Sequence, residues 1–200
     1  MSKKEQTNDL FPVFFKMEKL STLVVGGGNV GLEKLEALLR NSPRAHVTLI
    51  GITIDQRIVD LAKQFPNVTL KKRAFQVEDL KGVNIALLAT ENRETNYRIG
   101  LLAKSRNIVV NVADTPDLCD FYLGSVVTKG QLKIGISTNG QSPTFAKRFR
   151  QVLEEILPDE TNHLLTNLRI IRDRLQGDFS HKVKKLNEYT SQLVIEENDK

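Results

Sequence analysis

The stretch Thr22-Leu-Val-Val25-Gly26-Gly-Gly28-Asn-Val-Gly31 constrains this chain more than any other part of it. A short β-rich apolar run leads directly into G-x-G-x-x-G, and the residues after it, 29–40, carry a helical apolar period. Strand, glycine turn and helix in that order open a parallel βαβ unit. The three glycines have separate roles. Gly26 permits the tight turn, Gly28 lets the backbone approach a pyrophosphate, and Gly31 lets the helix pack closely on the sheet. The helix start then offers unpaired N–H groups and a partial positive charge to phosphate. A glycine-rich turn without a ligand is the alternative, and the strand-to-helix context favours a dinucleotide.

The rest of the first half repeats the alternation. Strands are expected over 22–25, 47–50, 68–71, 83–89 and 108–112, with helices over 55–64 and around 95–105. Right-handed crossovers make this an α/β fold with a doubly wound parallel sheet of the Rossmann type. After Pro116 the pattern changes. Residues 121–127 and 132–137 read as two strands joined around 128–130, and the chain is helical from Pro143, with Ser142 as N-cap. Three apolar stripes follow. The first is Phe145, Phe149, Val152 or Leu153, and Ile156, ended by Pro158. The second is Leu164, Leu168, Ile171 and Leu175, and beyond Gly177 comes a third of Phe179, Val183, Leu186 and Leu193. The expected organisation is a nucleotide domain over 1–115, dimerisation strands over 116–145 and a helical C-terminal domain over 146–200. The stripes need an apolar partner, either the first domain or a second subunit.

Composition closes off other classes. The 200 residues are 40% apolar, enough for a core without metal or disulfide staples. The longest apolar runs, such as 85–89, are about a quarter of the roughly 20 residues a membrane helix needs. Lys3 and Lys4 precede a short apolar stretch, 10–15, that contains Pro12 and runs into Lys16. This is a poor export signal, so the cytoplasm is expected. Cys119 is the single cysteine, which excludes an internal disulfide and a Cys/His zinc cluster. His46, His163 and His181 are scattered and read as structural or surface residues, and no metal site is expected. The net charge of +5 lies in residues 1–140, since 141–200 balances ten basic against ten acidic side chains. Such a bias suits nucleic acid or an acidic small molecule. No basic run carries interleaved aromatics and Trp is absent, so nucleic acid is not expected.

Three places attract chemistry. An NAD site usually has Asp or Glu at the end of the second strand, but this chain has Ile50-Gly-Ile-Thr53. Thr53 or Asp55 would partly substitute. Arg57 is nearby but not at the strand tip, so the reading leans to NAD over NADP. Asp114 ends the fifth strand, where open α/β sheets bind ligands. A carboxylate there can take a proton, orient a substrate or hold a metal, or it can simply turn the chain before Thr115-Pro116. Asp117 and Asp120 read as turn and surface residues. Lys147, Arg148 and Arg150 crowd the first turns of a helix whose dipole they oppose, which points to an anionic guest. A solvated face paired with Glu154 and Glu155 is the alternative.

Together these stretches resemble the precorrin-2 dehydrogenase family, the N-terminal half of siroheme synthases. The matching residues are 10–14, 24–31, Leu88-Ala-Thr90, Val110-Asn-Val-Ala-Asp114, Leu118-Cys-Asp-Phe121, and Ile136-Ser-Thr-Asn-Gly-Gln-Ser-Pro143 leading to Ala146-Lys-Arg148. They run in order across residues 9–158, while 159–200 match only as a helical tail. The resemblance implies NAD⁺-dependent oxidation of precorrin-2 to sirohydrochlorin, with Asp114 as the catalytic residue. It implies cofactor binding at Gly26, Gly28, Asn29, Val30, Gly31, Ile52 and Thr53, with Thr90 and Asn111 bordering by position. Ser137, Thr138, Asn139, Lys147 and Arg148 are the implied substrate residues for an anionic tetrapyrrole, and a homodimer is implied. Some members also insert Fe²⁺. Two residues depart from the family: Gly124 stands where Pro is usual, and Thr138 sits in the Ser-rich stretch. The rival reading is a non-enzymatic NAD(H)-binding redox sensor acting through a helical dimer, which needs the glycine loop but not Asp114.

Overall fold

The computed structural model describes residues 7–191. Lys3, Lys4 and Leu193 lie outside them. The chain divides into two compact units. The first takes the chain up to Gly124 and adds Ser137–Gln141. The second takes Ser125–Ile136 and the chain from Ser142 onward.

The first unit is a five-stranded parallel sheet of β1 (Ser21–Val25), β2 (His46–Gly51), β3 (Val68–Lys72), β4 (Ile85–Leu88) and β5 (Val109–Val112). The order is β3-β2-β1-β4-β5, so the strand sequence reverses between β1 and β4. The apolar runs alternate between two faces. Val24, Val47, Leu49, Ile85 and Leu87 bury on one side, with α1 (Asn29–Asn41) supplying Leu32, Leu35, Leu38 and Leu39 and α2 (Gln56–Ala62) supplying Ile58. Leu23, Val25, Ile50, Ala86, Leu88, Val110 and Val112 bury on the other, under Ile99 and Ala103 of α3 (Arg93–Lys104). Each fully buried leucine, such as Leu35, contributes about 1.5–3 kcal/mol. Helices on both faces of a parallel sheet are the doubly wound arrangement.

The crossover from β3 to β4 carries no α-helix. A 3₁₀ turn at Val77–Leu80 stands there instead. Asp79, its carboxylate only 4% exposed, takes a forked pair of bonds from Arg73 at 2.7 and 2.5 Å, and accepts from the Gln76 N–H at 2.8 Å. The Arg73 guanidinium holds the Asp79 carboxyl below the usual carboxylate range.

The second unit opens with an antiparallel hairpin of β6 (Ser125–Lys129) and β7 (Leu132–Ile136), closed at Lys129 opposite Leu132. The strand expected over 121–127 therefore starts four residues late. Phe121 belongs to the first unit: its carbonyl accepts from the Asn111 side chain at 2.8 Å and its ring packs on the first core face. Three helices complete the unit: α4 (Pro143–Ile156), α5 (Thr161–Arg174) and α6 (Phe179–Thr190). α4 packs along β6, with Ala146 and Val127 buried. The Ser142 hydroxyl caps α4 by accepting from the Phe145 N–H, and the Asp178 carboxylate caps α6 at His181. At the hairpin turn, Asn162 accepts from the Gln131 N–H at 3.0 Å, and Lys129 pairs with Asp159 at 2.6 Å.

Candidate functional site

The strand order reverses between β1 and β4, and doubly wound sheets bind ligands at the carboxyl ends of the strands at such a reversal. The glycine loop stands at the carboxyl end of β1. Gly26 has φ +125° and its N–H donates to the Ile50 carbonyl at 2.8 Å. A Cβ on Gly26 would fall 2.1 Å from the Ala89 carbonyl oxygen, and a Cβ on Gly31 would fall 2.1 Å from that of Gly26. Gly28 is different: a Cβ there would meet only Glu91 Oε1, at 3.8 Å. The space above Gly28 is open beside the first turn of α1, whose N-cap is Gly28 itself and has no side chain to occupy the turn's N–H groups. That open cradle fits a pyrophosphate, and Gly28, Asn29, Val30 and Gly31 form it. Gly27 and Gly51 were not singled out from the sequence. Their virtual Cβ atoms would strike the Thr53 carbonyl at 2.1 and 2.7 Å, so they too let β2 and the loop touch. Gly27 stands inside the motif at a position the pattern leaves free, and Gly51 had no signal beyond its place at a strand end.

Ile52 and Thr53 follow β2. Ile52 is 74% exposed, an apolar side chain standing clear at the rim. Thr90 follows β4, and its hydroxyl donates to Asn96 Oδ1 at 2.6 Å. The Asn96 amide returns a bond to the Thr90 carbonyl at 2.9 Å, and Asn96 is 2% exposed. This buried amide on α3 pins the loop after β4. The only hint of it in the sequence is a polar residue on an otherwise apolar helix face.

Beyond β5, Asp114 holds φ +53°, a left-handed conformation that Asp and Asn adopt more readily than other non-glycine residues. Asn111 is buried within β5, and both ends of its amide are engaged. Oδ1 accepts from Lys34 of α1 at 2.5 Å, and Nδ2 donates to the Phe121 carbonyl. Lys34 was not picked out from the sequence, where it reads as one more polar position of α1. Burial pushes its pKa down, against the opposing pull of Cys119, Asp114 and Glu33. The Lys34 side chain of α1 is thus set against Asn111 of β5. The Cys119 thiol accepts from the Val112 N–H at 3.2 Å and donates to the Val112 carbonyl at 3.3 Å. Asp120 is exposed in a bend, as the sequence suggests, and is also held on one side. Its carboxylate accepts from the Val110 N–H at 2.9 Å and pairs with Lys104 at 2.7 Å, fastening β5 to α3.

Ser137, Thr138 and Asn139 lie in the first unit, in a turn closed by the Gln141 N–H on the Thr138 carbonyl at 2.9 Å. Asn139 and Gly140 have φ +50° and +76°. The Ser137 hydroxyl accepts from the Asn139 N–H, and Asn8 reaches Ser137 at 3.4 Å. Lys147 and Arg148 are on α4 in the second unit, both exposed. Arg150 is committed to Glu154 at 2.5 Å, and Arg148 bonds Gln151 at 3.2 Å. Among the described residues, no group of three His, Cys, Asp or Glu side chains is placed to hold a metal, and no helix is long and apolar enough to cross a membrane.

Comparison with known proteins agrees with this architecture. Residues 13–125 match the family described as "Putative NAD(P)-binding", and residues 129–156 match "Sirohaem biosynthesis protein central". The siroheme synthase of Nitrosomonas eutropha is 32% identical over 174 residues, 87% of this chain and 36% of the relative. That of Pseudoalteromonas translucida is 35% identical over 170 residues, 85% of this chain and 35% of the relative. The chain thus spans about a third of the length of these curated relatives. A solved structure titled "SirC, precorrin-2 dehydrogenase" shares the fold, with a TM-score of 0.72 over 93% of both chains at 23% identity. With more than half its length inside the bounds of the first of these, the chain belongs to the family described as putative NAD(P)-binding.

Proposed function

We propose that this chain oxidises precorrin-2 to sirohydrochlorin with NAD⁺. One observation carries the reading: an open pyrophosphate cradle at Gly28 and a carboxylate, Asp114, both follow the carboxyl ends of strands in one sheet. The siroheme synthase relatives and the fold of the precorrin-2 dehydrogenase support the substrate. NAD⁺, when bound, supplies the hydride acceptor. Gly26, Gly28, Asn29, Val30 and Gly31 would hold its pyrophosphate and Ile52 and Thr53 its adenosine end, with Thr90 after β4 and Asn111 in β5 bordering the site. In the overall change, precorrin-2 gives up a hydride and a proton, and NADH and H⁺ are the other products. Asp114 takes the proton as the hydride departs. Lys34 holds the Asn111 side chain of β5 by a hydrogen bond. Ser137, Thr138 and Asn139 of the first unit are candidates to meet the substrate's carboxylates, and so, separately, are Lys147 and Arg148 of the second. The working form is a homodimer in the cytoplasm.

The test is anaerobic incubation with precorrin-2 and NAD⁺, followed at the NADH absorbance band. Formation of NADH together with sirohydrochlorin is expected. Dinucleotide binding without turnover would favour the redox-sensor reading. Release of siroheme on adding Fe²⁺ would extend the activity to iron insertion.

A further inference from the structure

The end of β2 lacks the acid that usually meets the adenosine ribose. The fold supplies one from the next turn. The Asp55 N–H donates to the Gly27 carbonyl at 2.8 Å, which folds this residue back against the glycine loop. The Asp55 carboxylate accepts from the Arg57 backbone N–H at 2.9 Å, from Nε at 3.0 Å and from Nη2 at 2.6 Å. Nη2 also donates to Oδ1 of Asn29, the first residue of α1. A carboxylate and a guanidinium, paired with each other, therefore stand beside the first residue of α1, on the β2 side where the adenosine ribose of a dinucleotide would lie. An Arg at that edge accommodates a 2′-phosphate, whereas an acid there serves the free 2′-hydroxyl. Here the acid takes both the Nε and Nη2 donors of the guanidinium fork, the geometry that makes Arg–carboxylate pairs specific.

We propose that Asp55 and Arg57 are the dinucleotide-discriminating pair of this chain: Asp55 occupies Arg57, turns away a 2′-phosphate and selects NAD over NADP. The assignment rests on the dinucleotide reading given above. Neither residue touches the reacting atoms, so they govern selectivity and not chemistry.

The experiment is calorimetric titration of the full chain with NAD⁺ and, separately, with NADP⁺. The wild type is expected to prefer NAD⁺. Asp55→Asn removes the charge and keeps the α2 cap, because Asn caps as well as Asp; Asp55→Ser serves the same purpose should the first variant fold poorly. Either variant frees Arg57 and raises the NADP⁺-to-NAD⁺ affinity ratio by about ten- to a hundredfold, the effect of a charged hydrogen bond redirected to phosphate. Adding Arg57→Gln abolishes the gain. An unchanged ratio in folded Asp55 variants overturns the pair, as does a wild type that binds NADP⁺ as tightly as NAD⁺. A gain that survives Arg57→Gln overturns it too. A wild type that binds neither dinucleotide overturns the underlying nucleotide reading, and the pair with it.

Discussion

At the scale of single residues, two glycines of one motif should fail in opposite ways. A Cβ on Gly31 would sit 2.1 Å from a backbone carbonyl, so Gly31→Ala must push α1 off the sheet. Overpacking of this kind costs about 1–3 kcal/mol or more, and a lowered melting temperature is expected. Gly28 has φ −93° and open space around it, so Gly28→Asp should melt near the wild type yet lose dinucleotide binding by calorimetry. A carboxylate would then occupy the phosphate's place. Asp114 calls for a different control. Its φ of +53° makes Ala a strained choice, whereas Asn tolerates the conformation. Asp114→Asn should therefore stay folded, bind NAD⁺ and lose about 10²–10⁴-fold in kcat, the usual worth of a general base. A folded variant with unchanged kcat would reduce Asp114 to a turn residue.

At the scale of elements, the turn replacing a crossover helix hangs on Asp79. Arg73 bonds lower that carboxyl's pKa in the fold. A depressed folded pKa stabilises the protein at pH values above the unfolded carboxylate value, and that contribution is lost as pH falls through the folded one. Asp79→Asn should cost about 1–3 kcal/mol near neutrality, the range for hydrogen bonds to a charged group. The gap between the melting temperatures of variant and wild type should close on acidification below pH 4. A gap independent of pH would mean that the turn is held by shape alone. The α2 cap behaves similarly in kind. Arg57 holds the Asp55 carboxyl down to about 2, so this ion pair persists through mildly acid conditions.

At the scale of the whole molecule, α4 leaves an apolar seam uncovered. Phe145, Phe149, Val152 and Ile156 recur at helical spacing, and all four are exposed. The two phenyl rings stack with centroids 5.9 Å apart. Contiguous apolar surface of this kind marks an interaction site, and a second copy of the chain is the occupant proposed above. Light scattering at micromolar concentration should give twice the 22.6 kDa chain mass. Phe149→Glu should shift the mass toward the single chain without unfolding β1 to β5, because Phe149 belongs to the second unit. A single-chain mass for the wild type would contradict the dimer.

What the sequence alone determined was local. The strand, glycine turn and helix, the cap at Ser142, and the apolar periods of α1 and α4 depend on neighbours within a turn or two. Residue type and spacing are therefore enough to read them, and the alternation of strands with helices carried the fold class. The tertiary structure decided what depends on distant partners. Lys34 meets Asn111 across 77 residues, Arg57 meets Asn29 across 28, and Asn8 meets Ser137 across 129. None leaves a periodic trace, because a polar side chain on a helix reads the same whether it faces water or a buried amide. The late start of β6 has the same origin. Residues 121–124 have strand-like composition, but the buried Asn111 amide claims the Phe121 carbonyl, and a hydrogen bond made inside the first unit outweighs local β propensity.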